Sequence, residues 1–380
     1  MKRSTDRMLT THVGSLPRTK DVTELVFGVE NGDTVSEDHF DSVIRPAVID
    51  VIKRQRDSGV DVVSDGEMSK ISYATYIKDR ITGFDGDSPR RAPADLEEFP
   101  SFLERQAKGG GTPSYKRPRC VGAIEPKSEV PLQGDLSRFS EALDGSGAEE
   151  SFMNAASPGV IALFQPNDYY SDDDAYLEAL AEAMRPEYET IVGAGHLLQL
   201  DSPDLGLGRH MMFKDQSDEV YQKRADRHVE VLNHALRNIP AEKVRMHICW
   251  GNYEGPHHCD APMDVVLPIA LKAKPQGLLF ENANPRHGHE WTVFAEAEKA
   301  GTLDDKVLIP GVIDSTSNFI EHPDLVAERI QRFTDIVGQE RVIAGTDCGF
   351  STFAGFGAVD ENIVYAKLAA LAEGAKRASA

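Results

Sequence analysis

An α/β chain closed into a (β/α)8 barrel is what this sequence predicts. Short β-branched runs alternate with longer stretches of helical periodicity, the pattern of repeated strand-helix units around a parallel sheet. Nearly every short run also ends in residues able to do chemistry, which suits a barrel whose strand ends converge on one mouth better than an open, doubly wound sheet. No internal repeat interrupts the pattern. The expectation is therefore one barrel over residues 1–380, with one long excursion.

Taken in order, the candidate strands are 8–14 (MLTTHVG), 61–66 (DVVSDG), 119–124 (RCVGAI), 158–164 (PGVIALF), 196–201 (HLLQLD), 245–250 (RMHICW), 277–282 (GLLFEN), 307–314 (VLIPGVID) and 341–347 (RVIAGTD). Nine candidates compete for eight places, and 119–124 is the weakest. Helices are predicted over 172–193, behind an acidic start, and over 216–237, where Val220, Val229, Val231, Leu232 and Leu236 supply the apolar positions. The stretch 83–118 is rich in Gly, Pro and charge and reads as an inserted loop region, a lid or a plain surface excursion.

Composition narrows the function. With 62 acidic against 41 basic residues the net charge is -21, so the chain repels phosphate backbones and anionic membrane surfaces, and nucleic acid is not an expected partner. No run approaches the roughly 20 apolar residues of a membrane span, and the N-terminal MKRSTDRMLTTHVG lacks the apolar core of a secretion signal. A cytoplasmic protein with reduced thiols is expected, because the four cysteines are too dispersed for a disulfide scaffold. A homo-oligomer is compatible with the sequence, since periodicity does not separate an exterior apolar patch from helix packing.

The strongest local signal is RMHICW. His247 and Cys249, two residues apart on a strand, point to the same face and can share one ion. Glu281 in LLFEN and Cys348 in GTDCGF end two further strands, and imidazole, carboxylate and two thiolates form a donor set that Zn²⁺ accepts. A second cluster, His257, His258 and Cys259, follows in a Gly- and Pro-bounded loop. Adjacent side chains diverge and chelate poorly, so His257 reads better as a proton donor or acceptor beside the metal.

These segments, taken with TTHVGSLPR, DGEMSK, LQLDSPDLG, IPGVID and their order along nearly the whole chain, make the sequence resemble the catalytic C-terminal barrel of cobalamin-independent methionine synthase. The resemblance implies zinc ligands at His247, Cys249, Glu281 and Cys348. It also implies that Val13, Gly14, Ser15, Glu67 and Asp201 hold an amino-acid thiol, the two carboxylates taking its ammonium group while backbone donors and Ser15 face its carboxylate. The activity implied is zinc-dependent alkyl transfer, of methyl in this family, from an alkyl donor to a small-molecule thiol such as homocysteine. A free thiol has a pKa of about 8.5, so Zn²⁺ would act by favouring the thiolate, with Asp314 and His257 as candidates for the leaving group's proton.

Two departures from the family bear on the donor. The long form has two barrels, and this chain holds one. In GVIDSTSN the folate-using enzymes carry a His two residues after the Asp, where this chain has Thr316, which cannot serve as a general acid near neutral pH. The single-barrel branch is also similar to epoxyalkane:coenzyme M transferase, which would need a cationic clamp for a sulfonate; Arg18, Lys70 and Arg286 are the candidates. The rivals are a metal-free barrel like uroporphyrinogen decarboxylase, which needs no cysteine pair, and a non-catalytic protein stabilised by a closed zinc site.

Overall fold

A computed structural model describes residues 1–89, 92–108 and 116–379. Eight strands, all parallel, form one sheet: β1 (Leu9–Thr10), β2 (Val62–Val63), β3 (Glu150–Ala156), β4 (Leu197–Asp201), β5 (Val244–His247), β6 (Gly277–Phe280), β7 (Val307–Ile313) and β8 (Ile343–Thr346). Each strand from β2 to β8 pairs with its sequence neighbour, and β8 pairs with β1 through Leu9 opposite Ile343. The seam between β1 and β2 is thin. It closes through the Asp61 N–H to Thr10 O bond at 3.2 Å and the Thr11 hydroxyl on Val62 O at 3.1 Å.

Helices cover the outside, and the main apolar core lies between them and the strands. Inside the ring, Leu9, Val13, Leu279, Val307, Ile309 and Ile343 form one packed group and Val62, Phe152 and Leu197 another, with Met1 against both. Above them the interior is polar. The fully buried Arg245 donates to Thr11 Oγ1 (3.0 Å) and His12 O (2.8 Å), and its guanidinium lies 4.1 Å from the centre of the Phe152 ring. Burial lowers its pKa to about 9.

The predicted helices are found at Asp173–Gly193 and Asp218–Ala235, started by the side chains of Asp172 and Ser217. The second turns Tyr221 inward and leaves Val220 exposed. Two strand expectations are corrected. Residues 158–164 form a helix, because the Ser157 hydroxyl accepts from the Val160 N–H (3.1 Å) and Pro158 stands at its first turn. The strand lies just upstream in ESFMNAA, which has no β-branched residue and is held by pairing with β2 and β4. Arg119–Cys120 is a strand outside the barrel, antiparallel to Phe84–Asp85. Between these two strands lie the short helices Ala94–Glu97 and Pro100–Lys108; residues 90, 91 and 109–115 of the predicted excursion lie outside the described residues. Among the described residues no helix is long and apolar enough to cross a membrane.

Candidate active site

Beyond β5 the chain stays extended because the Ile248 N–H donates to Leu279 O on β6 (2.9 Å), so His247 and Cys249 face the same side. Cys348, just past β8, meets them there: its sulfur is 3.7 Å from that of Cys249. One ligand atom from each of His247, Cys249 and Cys348 lies within 4.8 Å of the other two, and all three residues are buried. The imidazole is held at both nitrogens, Nδ1 against Asp201 Oδ1 and Nε2 against Asp347 O, each at 3.2 Å.

Burial works against a charged imidazole, but Asp201 and Cys348 outweigh it and hold His247 up to about 10. The hydrogen bond from Cys249 is the main cause that brings Cys348 down to about 6, against burial and with help from His247. The same bond, with burial, pushes Cys249 well above the usual thiol range. Protons are thus shared in a pocket whose donors suit a soft divalent cation.

Glu281 follows β6, outside the close three-atom cluster. Its Oε1 accepts the Trp250 N–H and its Oε2 the Asn284 amide, both at 3.0 Å, so the carboxylate is oriented beside the cysteines by the backbone next to Cys249. The loop that carries it is fixed from β8: the Asp347 carboxylate accepts the N–H groups of Asn282 (2.9 Å), Ala283 (2.9 Å) and Asn284 (2.6 Å).

A cavity of about 1190 Å³ opens over these strand ends, lined by Val13, Ser15, Glu67, Asp201, His247, Cys249 and Cys348 among others. Glu67 sits at φ 58°, buried, with neither carboxylate oxygen hydrogen-bonded. Burial chiefly, and the charges of Asp201 and Asp65, raise it to about 7 against the pull of Lys70 and Arg18. The amides expected to receive a carboxylate are committed elsewhere: Val13 N–H donates to Thr346 Oγ1 (3.3 Å) and Gly14 N–H to His12 Nδ1 (3.1 Å). Of the three, Val13 and Ser15 line the cavity and Gly14 does not.

The sequence reading missed Asn154. Its amide donates to Val13 O (2.9 Å) and Asp201 Oδ2 (3.0 Å), tying β1, β3 and β4 together at the cavity floor. The Asn in SFMNAAS was the available signal, but its strand had not been identified.

The candidate proton donors are engaged within their own loops. Neither Asp314 nor His257 lines the cavity. The Asp314 carboxylate accepts from Thr316 N–H and Oγ (both 2.8 Å) and from the Ser317 hydroxyl, which folds it into its own loop. His257 is buried with Nδ1 on Asp260 (2.8 Å) and Nε2 on Tyr253 O (3.0 Å), its ring stacked on Tyr253. Asp260 outweighs burial there and raises His257 to about 9. Its neighbours turn outward, where His258 and Cys259 form an exposed group with Glu98. The cationic clamp is also absent from the described lining: Arg18 binds Glu67 O and Ser351, Lys70 binds Asn154 O (2.7 Å), and Arg286 binds His258 O (3.3 Å). Trp250 is core, donating to Ala261 O (2.7 Å); Trp291 packs against the core and His287 is buried on Asp260 and Glu290.

Known proteins are similar to this chain over nearly its whole length. A family model for the catalytic domain of cobalamin-independent synthase matches residues 8–89. The methionine synthase of Saccharolobus islandicus (strain L.S.2.15 / Lassen #1) is 28% identical over 97% of this chain and 93% of its own, and that of Sulfurisphaera tokodaii is 24% identical over 97% and 91%. Among solved structures, a B12-independent methionine synthase from Shewanella sp. W3-18-1 in complex with selenomethionine superposes with a TM-score of 0.73 at 17% identity, covering 98% of this chain and 97% of that one. At that identity the likeness speaks for the fold.

Proposed function

We propose, from the premise that this chain belongs to the cobalamin-independent methionine synthase superfamily, that it transfers a methyl group to the sulfur of homocysteine at a zinc site made by His247, Cys249, Cys348 and Glu281. The observation that carries this reading is the buried convergence of one imidazole and two thiols from strands 99 residues apart, beside an oriented carboxylate. That donor set fits Zn²⁺, and Mg²⁺ or Ca²⁺ would call for oxygens instead. When bound, the ion would supply Lewis acidity that keeps the substrate sulfur deprotonated near neutral pH.

The protein's own groups would do the rest. Glu67 and Asp201, with carboxylates on the cavity wall, would take the ammonium of the amino acid, and the Ser15 hydroxyl its carboxylate. Asp201 has a second duty: it holds His247 Nδ1, which leaves Nε2, 3.2 Å from Asp347 O, as the nitrogen that would meet the ion. Asn154 holds Asp201 in turn.

Metal content measured by elemental mass spectrometry tests the reading. About one zinc per chain is expected, near none in the Cys249→Ser, Cys348→Ser double variant, and one more sulfur neighbour in the zinc X-ray absorption spectrum once homocysteine is added. No metal after anaerobic loading would overturn the proposal, and a zinc shell indifferent to homocysteine would mark a structural site.

A further inference from the structure

Two residues adjacent in sequence chelate poorly by themselves, but His258 and Cys259 have a third donor beside them. His257 sits at φ 53°, a left-handed turn that keeps its own ring buried and sends the next two side chains outward. There they meet Glu98, which follows the short helix Ala94–Glu97 of the excursion. Glu98 Oε2 lies 3.0 Å from His258 Nε2, and Glu98 Oε1 lies 3.7 Å from the Cys259 sulfur. One ligand atom from each residue lies within 4.8 Å of the other two, the second such grouping among the described residues. Tetrahedral Zn²⁺, with bonds of about 2.0 Å to nitrogen and oxygen and about 2.3 Å to sulfur, sets its ligand atoms roughly 3.3 to 3.5 Å apart. The two spacings to Glu98 bracket that range.

The frame around these donors is already built. Asp95, on the same short helix, accepts the Tyr253 hydroxyl on both its oxygens (2.9 and 2.8 Å) and the His257 N–H (2.9 Å), which locks the helix to the loop after β5. The His258 ring stands edge-on to Phe99 with 5.6 Å between centres, and its carbonyl accepts from Arg286 (3.3 Å). Imidazole and carboxylate therefore need little further ordering to share an ion. Both are exposed, so an ion can enter from solvent and keep a water in its fourth position.

We infer that Glu98, His258 and Cys259 form a second, open site for a borderline divalent cation such as Zn²⁺ or Co²⁺. Binding displaces the thiol proton and takes the imidazole in its neutral form. A surface site of three donors holds its ion less tightly than the buried donors of the cavity would, so added metal fills it and purification empties it. Its effect falls on the cavity wall, where Leu96, Leu103 and Gln106 stand on the excursion's side and Tyr253 and Glu254 on the loop's side. The ion ties the two sides together.

Co²⁺ titration of the purified full-length protein reads the site through thiolate-to-cobalt absorption in the near ultraviolet. About one more cobalt-thiolate equivalent per chain is expected in the parent than in Cys259→Ser, whatever the buried cysteines contribute. Glu98→Gln and His258→Asn should each weaken that added equivalent at least about tenfold. Hydrogen exchange across Ala94–Lys108 should slow on adding Zn²⁺ to the parent and not to Glu98→Gln. Equal titration of the parent and Cys259→Ser overturns the site. Exchange that zinc slows equally in the parent and Glu98→Gln, or in neither, overturns the tie.

Discussion

Glu67 sets a pH dependence that can be written with its sign. Its carboxyl is raised to about 7, mainly by burial, so it is largely protonated in the free protein at pH 6 and ionised at pH 8. An ammonium ligand needs the ionised form, so below 7 binding must expel a proton. Methionine, which has no thiol to titrate, is therefore expected to bind more tightly as pH rises from 6 to 8, and Glu67→Gln should flatten that profile in calorimetry. Gly14 carries a second expectation at this scale. At φ 142° a Cβ would fall 2.3 Å from Asn154 Oδ1, so Gly14→Ala should cost roughly 2–4 kcal/mol in denaturant unfolding. His247, Cys249 and Cys348 were legible as a group because strand alternation puts residues two apart on one side. The surroundings of the two proton-donor candidates were not, because they consist of hydrogen bonds made by Thr316, Ser317 and Asp260, which spacing cannot reveal.

Elements were legible where local chemistry agreed with tertiary need. The helices behind Asp172 and Ser217 announce themselves by their capping residues, and the β-branched strands by their composition. The segment 150–156 is a strand only because its neighbours make it one, while the apolar PGVIALF has the composition of a strand and is a helix because Ser157 caps it and Pro158 stands in its first turn. One interaction between elements has a measurable weight. Asp347 on the loop after β8 holds three N–H groups of the loop after β6, and that loop carries Glu281. Asp347→Ala would leave those donors unpaired, with an expected loss of about 3 kcal/mol and weaker zinc retention, read by thermal unfolding and by competition with a chromophoric chelator.

Across the whole molecule the ring is strong except at one seam. β1 and β2 are joined by few backbone bonds, and Asp61 reinforces them: its carboxylate accepts the Thr10 N–H (3.0 Å) and hydroxyl (3.1 Å) and pairs with Arg7 (2.6 Å). Asp61→Ala should lower stability by about 2 kcal/mol and speed amide exchange first at Thr10 to Val63, ahead of β5 and β6. The barrel class was readable from the alternation of elements; this weak seam was not, since it depends on where two strands of two residues each happen to meet. The same closure that gathers the donors leaves two sulfurs 3.7 Å apart, only a small movement from the roughly 2.05 Å of a covalent bridge. If no ion holds them apart, air would staple the strand ends of β5 and β8 by oxidation, and the proposed ligand site would become a record of how the protein was stored. After chelation and aeration, thiol counting should show two cysteines lost and a reductant should restore them, with zinc loading beforehand protecting both.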